Sequence, residues 1–141
     1  MTDFLVDNSV WALLASGDPI ITARLRGIER TPSDLFVTCP PQVLEFCHSA
    51  RSAEEHARYR EQIRLGFPLE RAPDESLVLD IQSALWSSGP VRAAGSLDIL
   101  IAGYAIANNA TVLSADHDFD HIARVVDLSH EYIAPSADTV P

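Results

Sequence analysis

Two apolar patterns alternate along the chain. Short uninterrupted runs read as buried strands, and longer stretches with apolar residues at three- and four-residue spacing read as helices. Phe4-Leu5-Val6, closed by Asp7, predicts a central strand that delivers a carboxylate at its C-terminal end. Asn8 or Ser9 then caps a helix carrying Val10, Trp11, Leu13 and Leu14 to about Gly17. Asp18-Pro19 supplies a cap and a first-turn proline for a second helix, bearing Ile20, Ile21, Leu25 and Ile28 to about Arg30. Leu35–Thr38 is the second buried strand. Pro40-Pro41 ends it and starts a helix through Val43, Leu44, Phe46 and Cys47, with Glu45 in its second turn.

Residues 53–65 are polar, with Glu54, Arg58, Glu61 and Arg64 at helical spacings, and predict an exposed helix laced with ion pairs. A short edge strand is expected around residues 67–71. Asp74 caps a helix with Leu77, Val78, Ile81, Leu85 and Trp86, which stops at Ser87-Ser88-Gly89-Pro90. Ser96 caps an almost wholly apolar helix to Asn109, followed by the strand Thr111–Ser114. A short helix over about residues 119–124 and a strand near residues 131–134 close a single domain of residues 1–134, and residues 135–141 form a frayed tail. Strands alternating with helices imply an α/β fold with a parallel sheet covered on both faces. Ligands in such sheets bind beyond the carboxyl ends of the strands, where the strand order reverses.

Composition changes this picture little. At 141 residues, with 47% apolar and 21% charged positions, the chain matches one globular domain rather than a disordered one. No run approaches the roughly 18 apolar residues of a membrane span, and the N-terminus lacks a signal-peptide pattern, so a cytoplasmic location with no membrane partner is expected. Cys39 and Cys47 sit in apolar periodic segments without CxxC spacing and read as buried thiols. The formal charge of −10 argues against a nucleic-acid binder only if the acids are dispersed. Acids gathered on divalent cations invert the local field and admit an anionic substrate.

Charged groups rarely occupy buried elements unless they are paired or bind a cation. Asp98 heads the apolar helix; the strand after that helix runs into Asp116, Asp118 and Asp120; Asp7 closes the first strand. With Glu45, these acids are the parts of a site for magnesium or manganese, which take oxygen ligands from a few carboxylates and from substrate phosphate. Each acid also has a plainer reading. Asp7 serves as a helix cap, Glu45 as a solvated face residue, Asp98 as a first-turn partner of the helix dipole, and Asp116 or Asp118 as an Asx turn. Within the last knot, Asp116 is expected to be the principal acid, Asp118 the second, and Asp120 a solvated helix residue.

Other constellations are weaker. His117 and His121 stand four apart and with Asp120 form an alternative transition-metal set, although a surface helix explains them as well. Arg51, Arg58, Arg60 and Arg64 offer contacts to RNA phosphate or to a partner protein, against solvated ion pairs with Glu54, Glu55 and Glu61. Trp11 and Trp86 occupy apolar helical positions and read as core. All ten basic residues are arginine. The lack of lysine disfavours an aspartyl-phosphate enzyme or a receiver domain, and the lack of a GK[ST] signature disfavours a Walker-type hydrolase.

Four blocks carry a family resemblance: VDNSVW at positions 6–11, VLEF at 43–46, LDILIA at 97–102 and VLSADHDF at 112–119. In this order, over nearly the whole chain, they resemble the PIN-domain proteins, specifically the VapC-type toxins of bacterial type II toxin–antitoxin modules. The resemblance implies a three-layer α/β/α domain with a parallel sheet of four to five strands in the order 3-2-1-4-5. It implies a Mg2+- or Mn2+-dependent endoribonuclease in which Asp7, Glu45, Asp98 and Asp116 match the acidic quartet, Asp118 is an accessory ligand, and Ser9 and Ser114 are supporting hydroxyls. Asn8 and Ser114 stand where threonine is often found in that family. Homodimerisation and neutralisation by a cognate VapB-like antitoxin are implied with it. The rival from another class is a catalytically silent PIN domain that acts as an interaction module.

Overall fold

The computed structural model describes residues 1–88 and 94–137. Its centre is a five-stranded, wholly parallel sheet in the order β3-β2-β1-β4-β5, as expected. The strands are β1 (Asp3–Val6), β2 (Leu35–Thr38), β3 (Phe67–Pro68), β4 (Thr111–Ser114) and β5 (His130–Tyr132). The helices are α1 (Asn8–Ala15), α2 (Pro19–Glu29), α3 (Pro40–His48), α4 (Ala53–Ile63), α5 (Glu75–Ser87), α6 (Ser96–Ala107) and α7 (Asp118–Ala123).

The apolar runs of β1 and β4 are continuous because both faces of these strands are covered. Phe4, Val6 and Leu113 face a core made with Val10 of α1 and Ile21, Leu25 and Ile28 of α2. Leu5 and Val112 point the other way, into a core with Ile81 and Leu85 of α5, Ile99, Ile101, Ala102 and Ala105 of α6, and Phe119 and Ile122 of α7. The result is the three-layer α/β/α arrangement. Helix α6 is apolar around its circumference because it packs against several elements at once. At Gly103 a Cβ would lie 3.0 Å from Val78 Cγ1 and 3.1 Å from Pro73, so the missing side chain lets the α5 segment close onto α6. Asn109, at φ +55°, turns the chain out of α6 and into β4.

Several local expectations shift. Gly95, rather than Ser96, is the N-cap of α6, its backbone extended at φ −76° and ψ 166°. The edge strand shrinks to two residues, and β5 starts one residue earlier than expected and ends at Tyr132, although Ile133 N–H still donates to Ser114 O at 2.8 Å. Trp86 is 56% exposed, not core: it follows Leu85 by one residue, about 100° around the helix from the buried stripe. Trp11 is half-buried against Phe36 and Phe46. Cys39 and Cys47 are buried free thiols. The tail is held at Ser136, whose N–H donates to the buried carboxylate of Asp18 at 2.8 Å. Gly89 and Pro90 of the expected α5 stop, and residues 138–141, lie outside the described residues. No helix among the described residues is long and apolar enough to cross a membrane.

Candidate metal centre

The strand order reverses between β1 and β4: the chain leaves β1 for β2 on one side, while β4 pairs with β1 on the other. A crevice is expected beyond the carboxyl ends of these two strands. Asp7 ends β1 there, and its own N–H donates to Leu113 O at 2.9 Å, which extends the β1–β4 ladder to the residue that carries the carboxylate. Ser9 holds that carboxylate from below. Its N–H and hydroxyl donate to Asp7 Oδ2 at 3.1 and 2.7 Å, while its Oγ accepts from Ala115 N–H at 3.0 Å. One hydroxyl therefore ties the end of β1 to the end of β4. The Gln42 side chain, fully buried on α3, donates to Val6 O at 2.8 Å and draws α3 against the same strand end.

Three of the five expected ligands converge here. Asp7, Glu45 and Asp98 each present a carboxylate oxygen, all within 4.8 Å of one another. Asp7 is buried, and Glu45 and Asp98 are partly buried. Each carboxyl group resists ionisation. Burial pushes the Asp98 carboxyl up to about 7, assisted by the charges of Asp118, Asp7 and Glu45 and opposed by the Gly95 hydrogen bond. Burial raises Glu45, with Asp7, Asp116 and Asp118 adding to it. Burial also raises Asp7 against the pull of its Ser9 hydrogen bonds.

The arrangement fits a hard divalent cation. The converging atoms are carboxylate oxygens only, the donors such ions prefer. Glu45 Oε2 is buried and has no hydrogen-bond partner among the described residues, which is costly for a carboxylate that serves structure alone. Like charges at this spacing raise one another's pKa, and a bound cation would remove that penalty.

Asp116 and Asp118 flank the trio from the β4 side. Asp116 Oδ1 accepts from Asp118 N–H at 3.1 Å, the Asx turn foreseen as the plainer reading, and its charge still bears on Asp7, Glu45 and Asp118. Asp118 is the charge that acts most on Asp98. Ser114 is fully buried and its hydroxyl lies 3.1 Å from the Asp116 carbonyl, so it steadies the turn through the backbone.

Asp120 is not a solvated helix residue. Its carboxylate bridges two imidazoles, with Oδ2 2.6 Å from His117 Nδ1 and Oδ1 3.1 Å from His130 Nδ1. His130, partly buried on β5 with its side chain nearly covered, places Nε2 2.8 Å from Ser114 Oγ, and burial lowers its pKa against the opposing charge of Asp120. His130 is absent from the expected site residues. The only sequence signal for it was a histidine in an otherwise strand-like run. Among the basic residues, Arg58 pairs with Glu55 at 3.7 Å and Arg64 with Glu61 at 3.2 Å, in line with the ion-pair reading of α4. Arg60 and Arg64 also line a groove of about 370 Å3 with Thr38, Val43, Ile63, Gly66 and Pro68.

A family model described as PIN domain matches residues 4–125. The chain belongs to the PIN-domain family. This PIN domain is 31% identical over 102 residues to Ribonuclease VapC6 of Mycobacterium tuberculosis, a match covering 70% of the chain and 80% of that protein. Its fold is similar to that of VapBC2 from Rickettsia felis bound to a DNA fragment from their promoter, with a TM-score of 0.73 and 14% identity over 93% of this chain and 98% of that one. VapBC-1 from nontypeable Haemophilus influenzae gives a TM-score of 0.69 at 19% identity, with the same coverage. At these identities the structural likenesses speak for the fold.

Proposed function

We propose that this PIN domain is the toxin of a type II toxin–antitoxin module, a divalent-cation-dependent endoribonuclease neutralised by a cognate VapB-like antitoxin. The observation that carries the reading is the convergence of Asp7, Glu45 and Asp98 at the β1–β4 switch point, with a buried Glu45 oxygen that has no hydrogen-bond partner among the described residues. The kinship to Ribonuclease VapC6 supports RNA as the substrate, and the VapBC assemblies of the structural relatives support an antitoxin partner.

Asp7, Asp98 and Asp116 would hold Mg2+ or Mn2+, with Glu45 and Asp118 as further ligands. When bound, such an ion would supply Lewis-acid activation of a water and charge stabilisation for an in-line displacement at phosphorus. Asp7 is kept in place by Ser9, so its carboxylate need not reorganise as the phosphate arrives. Glu45 would orient the attacking water and is a candidate to take its proton. Attack leaves a 5′-phosphate and a 3′-hydroxyl. The protein acts in the cytoplasm as a homodimer.

The purified protein is expected to cut single-stranded RNA in Mg2+ or Mn2+, to lose activity in EDTA, and to lose it in Asp98→Asn while circular dichroism shows an intact fold. Undiminished cleavage by Asp98→Asn, or in EDTA, would overturn the reading.

A further inference from the structure

We propose that the stacked rings of His117 and Tyr132 are a platform for one nucleobase of the RNA strand beside the scissile phosphate, an inference that rests on the ribonuclease reading above. Tyr132 ends β5 and is the register partner of Ser114 at the end of β4, so the pair stands on the same sheet edge as the acids. In the chain His117 lies between Asp116 and Asp118. Its ring stacks on Tyr132 with centroids 4.3 Å apart and planes inclined by 26°. Tyr132 covers one face of the imidazole, and the His117 side chain remains 67% exposed.

An exposed histidine is ordinarily mobile, but this one is held. Its Nδ1 lies 2.6 Å from Asp120 Oδ2, and the other Asp120 oxygen lies 3.1 Å from His130 Nδ1. His130, only 5% exposed, is fixed in turn by Ser114 at 2.8 Å. A line of polar contacts thus runs from the buried end of β4 to a ring at the surface. Helix capping does not account for it: His117 occupies the N-cap position of α7, yet its side chain makes no capping bond.

What remains is a flat aromatic surface, oriented in advance, one residue from two acids of the catalytic cluster. Single-stranded RNA is recognised largely by stacking unstacked bases on such rings, histidine included. The surroundings select which part of the RNA comes here. Asp120 disfavours a phosphate beside the ring and already engages Nδ1, so the open face suits an uncharged base. Orientation in advance lowers the ordering cost of binding.

The test uses an oligoribonucleotide whose cleavage site has been mapped with the wild-type protein, carrying 2-aminopurine at each position near that site in turn. Binding is followed with Asp98→Asn, which leaves the RNA uncut. One position next to the cleaved bond should lose fluorescence on binding, as a stacked 2-aminopurine does. Adding His117→Ala should restore that fluorescence and raise Kd about tenfold, whereas His117→Phe, which keeps the ring but loses the Asp120 contact, should keep the quenching and most of the affinity. An abasic nucleotide at that position should weaken the Asp98→Asn protein by the same factor and leave the His117→Ala double variant unaffected. Unchanged affinity and quenching in His117→Ala overturns the proposal and leaves the ring pair to a protein contact. A His117→Phe variant as weak as His117→Ala overturns it too, since the polar link rather than the ring face would then matter. A wild-type protein that cuts no RNA instead fails the ribonuclease reading, and this proposal falls with it.

Discussion

Replacing Asp98 by asparagine separates what the acidic cluster does for stability from what it does for chemistry. In the metal-free protein the Asp98 carboxyl titrates at about 7 instead of the ordinary 3.8, because burial and the charges of Asp118, Asp7 and Glu45 all oppose its ionisation. The folded state therefore holds a proton that the unfolded state has released between these two values. Stability must fall as pH rises from about 4 through about 7, and stay low above it. Asparagine keeps the shape and the acceptor for the Gly95 hydrogen bond but carries no charge. A gap of this size would amount to about 4 kcal/mol for a fully buried group. Asp98 is only partly buried, and solvent screening leaves roughly 1–2 kcal/mol. For a chain of this length that corresponds to a rise in Tm of about 3–7 °C near pH 8. Near pH 4 the unfolded-state carboxyl is largely protonated as well, and most of the gain should vanish. Thermal unfolding in EDTA at both pH values reads the difference directly. Adding Mg2+ should reverse the order near pH 8, stabilising the wild type and not the variant, and the wild type's affinity for Mg2+ should rise with pH as bound protons are displaced. A variant no more stable than wild type near pH 8 in EDTA, or equally stabilised at both pH values, would refute the reasoning.

Two further outcomes follow from the same geometry. Ser9→Ala removes the hydroxyl from Asp7 Oδ2 and leaves Ala115 N–H without its acceptor, so denaturant unfolding should show a loss of about 1–3 kcal/mol. Cleavage should fall with it, and Ser9→Thr should recover most of both. Phe119, fully buried beneath the acidic turn, should cost about 3–5 kcal/mol when changed to alanine. An urea midpoint unmoved by that change would contradict its place in the core.

The layered fold was legible because its strands are buried on both faces. Runs such as Phe4-Leu5-Val6 and Val112-Leu113 have no polar face to offer solvent, and helices must lie on either side of them. Asp7 and Asp98 were legible for a related reason: a carboxylate next to so much apolar surface calls for a donor or a cation, and the Asp7–Glu45–Asp98 convergence is a place where one cation would serve all three. Glu45 was visible only as an acid on a helix, and nothing in its local spacing distinguishes it from a solvated face residue. Its position depends on α3 being drawn against β1, where Gln42 bonds Val6 O. Trp86 went astray because periodicity gives the phase of a helix but not which part of its circumference the rest of the protein covers.

Local pattern thus determined the elements, their alternation and the acids at the strand ends, since each follows from residues within a few positions of one another. The tertiary structure alone decided how distant side chains are shared. Asp120 and His130 are ten residues apart and meet because the pairing of β4 with β5 sets His130 beside Ser114. Asp18 caps α2, as its neighbours foretold, but it also takes the N–H of Ser136 across 118 residues. Both contacts are polar and non-periodic, and a one-dimensional pattern of apolar and polar positions records neither, because the partners become neighbours only after the sheet has closed.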